Sequence, residues 1–191
     1  MRGTRLVLIG SLVVLAFAAF GVSGAGAQRP ARGGGGCDIA GTAGDDTLIG
    51  TPAREEICGR AGDDTIQGKG ASDFILAGPG ADSVEGGAGS DSILGGKGAD
   101  VLLGGLGNDS MDGDNGNDSM NGQAGRDVVA GRLGHDIVNG GIGNDLCVDG
   151  FDFEEGNDSV NGGPGNDTGA ADDGDEVLNL EHQVAGSCSA G

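Results

Sequence analysis

The stretch Gly86-Gly87-Ala88-Gly89-Ser90-Asp91-Ser92-Ile93-Leu94 runs directly into Gly95-Gly96-Lys97-Gly98-Ala99-Asp100-Val101-Leu102-Leu103. Both nonapeptides fit one pattern: Gly-Gly-x-Gly-x-Asp, then an apolar residue between two variable ones. Followed outward, this phase holds without a slip from Gly41 to Val148, through twelve repeats. After the break Asp149 to Asp152, three more repeats run from Phe153 to Asn179. All fifteen sixth positions are acidic. They are Asp46, Glu55, Asp64, Asp73, Asp82, Asp91, Asp100, Asp109, Asp118, Asp127, Asp136, Asp145, Asp158, Asp167 and Glu176. The fourth position is Gly in thirteen of the fifteen, with Ala53 and Ala71 the exceptions, and the eighth is apolar everywhere but Gly169.

Composition alone points elsewhere. With 45 glycines in 191 residues and a net charge of −20, the chain has the makeup of a disordered linker. A linker has no reason to keep an apolar residue two places after a carboxylate, so the period overrides the composition. The acidity argues against nucleic acid as a partner and for cations.

Each repeat suits a tight loop over its first six residues and a short strand over its last three. Glycine admits the left-handed backbone such a loop needs and lets carbonyls approach an ion. Calcium takes six to eight oxygens from carboxylates and carbonyls, which a glycine loop ending in Asp offers. The eighth residue points inward and the seventh and ninth outward, by the alternation of a strand.

The repeats resemble the calcium-binding nonapeptides of the RTX, or hemolysin-type, family. The clearest copies are Gly86–Asp91, Gly95–Asp100, Gly104–Asp109, Gly140–Asp145 and Gly162–Asp167. The resemblance implies an all-β parallel β-roll, a right-handed β-solenoid with two repeats per turn. One edge would carry Asp46, Asp64, Asp82, Asp100, Asp118 and Asp136, and the other Glu55, Asp73, Asp91, Asp109, Asp127 and Asp145. It also implies several calcium ions, each held between successive loops of one edge by an Asp from each plus backbone carbonyls. The thirteen aspartates, including Asp158 and Asp167, are the expected ligands. Glu55, crowded by Arg54 and Glu56, and Glu176 depart from the pattern and are expected to make poor sites. Like charges one strand apart, ~4.8 Å, repel by roughly 1 kcal/mol per pair even in water. The metal-free chain is therefore expected to be largely unfolded.

The N-terminus reads as an export signal: Arg2 and Arg5, an apolar run from Leu6 to Phe20, then Ala25-Gly26-Ala27 as a cleavage site. Cleavage after Ala27 would take the charge from −20 to −22 and deliver a secreted, extracellular protein with no membrane insertion. Export through a cleavable N-terminal signal differs from the C-terminal signal that many RTX-like proteins use. The expected organisation is a signal at 1–27, a flexible leader and N-terminal cap at 28–40, and the twelve-repeat roll at 41–148. An insert at 149–152, three further repeats at 153–179 and a C-terminal cap or tail at 180–191 complete it.

Four cysteines in an exported chain suggest disulfides. Cys37 with Cys58, and Cys147 with Cys188, would cap the two ends; Cys147 is equally suited to be a buried thiol, since its phase points it inward. No Cys-x-x-Cys spacing suggests a zinc site, and His135 and His182 read as solvated. The residues outside the repeats are too few for a catalytic domain, so the chain is expected not to be an enzyme. The expected function is calcium binding in a structural or interaction role. The alternative is a calcium-dependent cell-wall or polysaccharide-binding module. At the seventh position, Thr47, Glu56, Thr65, Phe74, Ser83, Ser92, Val101, Ser110 and Ser119 make only a partial ladder for such a surface.

Overall fold

The computed structural model describes residues 5–6, 36–148, 158–170 and 176–183. The described residues are all strand, turn and loop, with no helix among them, so none is long and apolar enough to cross a membrane. They form two parallel sheets, of ten and nine strands. Strands alternate between the sheets along the chain, so each pair of repeats makes one turn and residues 18 apart are neighbours: Ile75 lies beside Ile93, and Ile93 beside Met111. The chain is thus a parallel β-roll, as expected from the repeat.

The core is the eighth-position column. Leu48, Ile57, Ile66, Ile75, Val84, Ile93, Leu102, Met111, Met120, Val129, Val138, Cys147 and Val160 are all buried between the sheets. The flanking seventh and ninth residues face out, as in Ser92 and Leu94 around Ile93. The core is one side chain thick, and the packing of each residue depends on its neighbours a turn away.

Strands are longer than the three residues expected. In the middle of the roll they run six, as in Ser92–Lys97, and continue through positions one to three of the next repeat. Alternation then turns position one inward, where space is short: among the described residues it is glycine everywhere but at the buried Ala77. A Cβ on Gly95 would lie 2.6 Å from the Oδ2 of Asp100 and 3.0 Å from the carbonyl of Gly113. Position two is left-handed throughout the centre of the roll. Five copies there are glycine, Gly78, Gly87, Gly96, Gly105 and Gly141, and Arg60 (φ 83), Lys69 (φ 83), Asp114 (φ 73), Gln123 (φ 72) and Arg132 (φ 83) hold the same conformation with a side chain.

The ends differ from the middle. At the N-terminal end, the strand Ile39–Ala40 pairs with Glu56–Cys58, and the Cys37–Cys58 disulfide ties it down with a Cα separation of 5.9 Å. This is the pairing expected for that end. Arg5–Leu6, in the segment read as the export signal, pairs with Asp46–Thr47 on the other sheet. At the C-terminal end the repeat loses its phase. Ser159, Val160 and Asn161 lie against Glu176, Val177 and Leu178, one residue short of the eighteen-residue turn. Glu176 therefore takes the seventh position rather than the sixth. Val177 takes the inward one, and Leu178, expected inside, is exposed. Gly169, the one non-apolar eighth residue, is explained by its neighbour: Leu180 fills the space, and a Cβ on Gly169 would come within 2.2 Å of its Cδ1. Leu180 packs on the end of the core as a cap. Cys147 is a free, fully buried thiol, the second of the two readings its phase allowed, and burial pushes its pKa up to about 12. The insert 149–152 and Cys188 lie outside the described residues.

The left-handed side chains give a test of the loop conformation. Left-handed backbone costs a non-glycine residue about 1–2 kcal/mol, against roughly 0.4–1 kcal/mol of added unfolded-state entropy for glycine. Arg60→Gly, at an exposed position, is expected to raise the stability of the calcium-loaded protein by about 0.5–1 kcal/mol in urea unfolding. Gly105→Ala, where a Cβ would meet the Gly87 carbonyl at 2.0 Å, is expected to lower it.

Candidate metal centre

The thirteen aspartates named from the sequence fall in two columns, one along each edge of the roll, and all are at most 3% exposed. The Oδ1 oxygens are used by the fold. The backbone N–H of Asp64 donates to Asp82 Oδ1 at 2.7 Å, that of Asp82 to Asp100 at 2.8 Å, and that of Asp100 to Asp118 at 2.9 Å. The other edge repeats this from Asp73 to Asp91, Asp109, Asp127, Asp145 and Asp167. The insert does not break either column: Asp136 reaches Asp158, and Asp145 reaches Asp167, across 22 residues rather than 18.

The second oxygen is different. The Oδ2 atoms of Asp64, Asp73, Asp82, Asp91, Asp100, Asp109, Asp118, Asp127, Asp145 and Asp167 are buried with no hydrogen-bond partner. Buried polar atoms are satisfied almost without exception, and a buried carboxylate oxygen without a donor carries a large desolvation penalty. Except at Asp82, whose loop begins with Ala77, each of these Oδ2 atoms faces the first glycine of its own loop, as Asp91 Oδ2 faces Gly86. At the glycines of positions two and four, an added Cβ would strike the carbonyl of the turn before: 2.4 Å for Gly96 on Gly78, and 1.9 Å for Gly98 on Gly80. Acidic oxygens without donors, beside backbone carbonyls and with no room for a side chain, form a donor set that suits a hard cation. Carboxylates alone do not complete it. Among the described residues only Cys37, Glu56 and Cys58 bring three such side chains within 4.8 Å, and two of those are joined as a disulfide. Any ion in the columns must draw its other oxygens from the backbone or from water.

The first turn departs from this arrangement. Asp46 Oδ2 accepts from the N–H of Thr42 at 2.5 Å and its hydroxyl at 2.9 Å. Glu55 is engaged in the same way by the N–H and hydroxyl of Thr51. Both threonines stand at position two, which is glycine in six of the thirteen later repeats. Asp46 thus enters the column with one oxygen already committed inside its own loop, and the pattern with an open Oδ2 begins at Asp64 and Asp73.

Two features escaped sequence reading. Glu181 stands where the column on the second edge would continue, accepting the N–H of Asp167 at 2.8 Å. It lies fourteen residues on, outside any nine-residue phase. The fifth position forms a second ladder running the other way, from each N–H back to the preceding turn. Asp63 N–H donates to Asp45, Ala81 to Asp63, Arg126 to Asn108, and His135 to Asn117. The frequent Asp, Asn and Ser at that position were the available signal.

Burial raises the pKa of these carboxylates. Asp100 is pushed up to about 7, and Asp64, Asp73, Asp109 and Asp127 to about 6. Loss of solvation is the largest cause in each case, the backbone N–H opposes it, and neighbouring carboxylates add a smaller upward push. The sequence argument put the repulsion between neighbours first; in the folded roll, desolvation outweighs it.

The geometry defines a class: a parallel β-solenoid whose two edges are lined by cation-seeking carboxylates. The RTX calcium-binding nonapeptide repeat matches residues 38–66, 59–93, 76–111, 85–120, 112–147 and 154–178. These matches cover well over half of the chain, which belongs to this family of calcium-binding repeats with a structural role. No curated protein matched the chain.

The pKa shifts set the sign of the pH dependence. A folded-state pKa above the unfolded value near 3.9 favours the fold fully below the unfolded value, and that contribution is lost as pH rises through about 6–7. Without divalent metal, lowering the pH from 7.5 to 5 is expected to raise β-structure, the reverse of ordinary acid denaturation. With calcium present, protons compete for the same oxygens, so the calcium concentration at half-folding is expected to rise as pH falls below 7. Far-UV circular dichroism reads both, and staying above the isoelectric point of about 4.1 limits aggregation.

Proposed function

We propose that this is an exported, non-catalytic calcium-binding protein whose roll folds when calcium binds, and that the aspartates of the two columns are the ligands. The observation that carries this reading is the set of buried Oδ2 atoms without donors. Folding the chain without a cation strands these oxygens away from water. Calcium supplies the compensating charge, and its binding energy becomes folding energy by linkage.

The residues divide the work. Oδ1 holds one turn to the next, Oδ2 binds the ion, and the glycines keep side chains away from the carbonyls that complete the set. The ligands are Asp64, Asp73, Asp82, Asp91, Asp100, Asp109, Asp118, Asp127, Asp136, Asp145, Asp158 and Asp167, with Asp46 weaker because Thr42 holds one of its oxygens. Extracellular calcium is plentiful enough for modest sites to fill, with Kd of order 10⁻⁴–10⁻³ M. A chain that stays unfolded until it meets that calcium suits passage through an export channel. The columns give every carboxylate the same environment, whereas acid–base catalysis needs two groups set apart. A structural scaffold and a polysaccharide-binding module would both use this calcium-folded roll.

The test is circular dichroism of the protein titrated with calcium out of chelator and back. A reversible, calcium-selective rise in β signal is expected; a compact, cooperatively melting protein in chelator would falsify the reading. Asp100→Asn sharpens it. The amide keeps the Oδ1 acceptor and removes the buried charge, so the metal-free fold is expected to gain stability while the calcium requirement increases. A purely structural aspartate would show the gain in metal-free stability without the increased calcium requirement. Sequencing the N-terminus of the exported protein tests the signal, with Gln28 as the expected first residue.

A further inference from the structure

The outward face of the ten-stranded sheet changes character along the roll. Near the N-terminal end it carries Gln67, Lys69 and Glu85. From Val101 to Asn161 its outward positions carry no charge: Val101, Leu103 and Leu106, then Ser119, Asn121, Gln123 and Ala124, then Ile137, Asn139 and Ile142, then Ser159 and Asn161. In a chain with 30 acidic residues, such a face is unexpected on composition alone. The opposite sheet carries Asp112, Asp114 and Arg132 over the same turns.

Two ladders run along this face, parallel to the roll axis. At position nine, Asn121 lies beside Asn139, and Asn139 beside Asn161. At position three, Leu106 lies beside Ala124, and Ala124 beside Ile142. Leu106 is 65% exposed and Ile142 66%, which is high for aliphatic side chains. Between and beside the ladders lies a groove of about 670 Å³, lined by Asn121, Gln123, Asn139, Ile142, Asn161 and Asn179 among others, none of them charged.

The carboxamides are held by the fold. Asn121 Oδ1 accepts the N–H of Gln123 at 2.9 Å, and Asn161 Oδ1 accepts the N–H of Gly163 at 3.1 Å. Asn161 Oδ1 also accepts from Asn179 Nδ2 at 3.1 Å. With their oxygens turned to the backbone, Asn121 and Asn161 leave their NH₂ groups as donors. These two fixed donors stand two strand spacings apart, ~9.6 Å, with Asn139 between them in the same ladder and a strip of aliphatic carbon beside them.

We propose that this groove binds an extended, neutral, β-linked polysaccharide lying along the roll axis. A pyranose unit in such a chain is about as long as one strand spacing, so successive sugars meet successive asparagines in register. Sugar hydroxyls accept from the amides, and the C–H faces of the rings lie on Leu106, Ala124 and Ile142. The absence of charge selects against uronic-acid polymers, which the acidic edges also repel. This rests on the calcium-folded roll proposed above and adds a ligand to it. The position-seven ladder considered in the sequence is not the surface involved; the ladder stands at position nine.

The experiment is retention of the calcium-loaded protein on amorphous cellulose and on chitin, with cellohexaose and chitohexaose titrated calorimetrically and alginate as the charged comparison. Circular dichroism accompanies every sample. Binding to at least one neutral polymer and not to alginate is expected, with loss in chelator. Asn139→Leu is expected to weaken hexaose binding about fivefold, the loss of one ordinary hydrogen bond. Ile142→Asp is expected to weaken it at least as much. Both sites are on the surface, so the calcium-induced β signal should be unchanged. A folded protein that binds neither neutral polymer, or variants that bind like the parent, would overturn the proposal. A chain that stays unfolded in calcium overturns the calcium reading itself, and this one with it.

Discussion

Ten of the aspartates at the sixth position, beginning at Asp64 and Asp73, have one oxygen that belongs to the fold and one that does not. Oδ1 closes the loop ladder by accepting an N–H from the turn before; Oδ2 is buried beside glycine backbone with no donor in reach. The rest of the structure depends on this division. The N–H donors hold the carboxylates in two columns, so from Asp64 and Asp73 onward the aspartates turn the same second oxygen toward the first residue of their loops. Each turn adds two buried carboxylates, one on each edge, so the desolvation cost grows with the length of the roll.

The hydrophobic core works against this cost. It is two facing columns of side chains, one from each sheet, with two methionines and a cysteine in the C-terminal half. Those residues are softer or smaller than the isoleucines and leucines of the N-terminal half. The ends are closed by separate devices. A disulfide anchors the first strand of one sheet, and Leu180 covers the last turn where Gly169 leaves a space. Both devices interrupt the repeat, as a solenoid requires of its terminal units.

Regularity of the backbone leaves the outer face free to vary. The seventh, ninth and third positions contribute nothing to the column of ligands and little to the core. Charge could therefore be kept off one stretch of one sheet without disturbing the aspartate columns. A scaffold of this kind separates the residues that make it fold from those that decide what it touches.

Much of this was legible in the sequence because a nine-residue period and a two-residue strand alternation together determine which side chains share an edge, a core or a face. Asp64 and Asp82 could be placed in one column, and Ile75 and Ile93 in one core, from spacing alone. Three things required the tertiary structure. Position one turned out to face inward, since the strands run on past the ninth residue, and only three-dimensional crowding by Asp Oδ2 shows why glycine stands there. Glu181 and Leu180 escaped because the last turns shorten, and a residue out of phase carries no periodic signal. The separation of Oδ1 from Oδ2, and the commitment of Asp46 to Thr42, belong to hydrogen bonds between particular atoms. Periodicity determines which residues become neighbours; burial and the geometry of the neighbouring turn decide which of their oxygens is left for an ion.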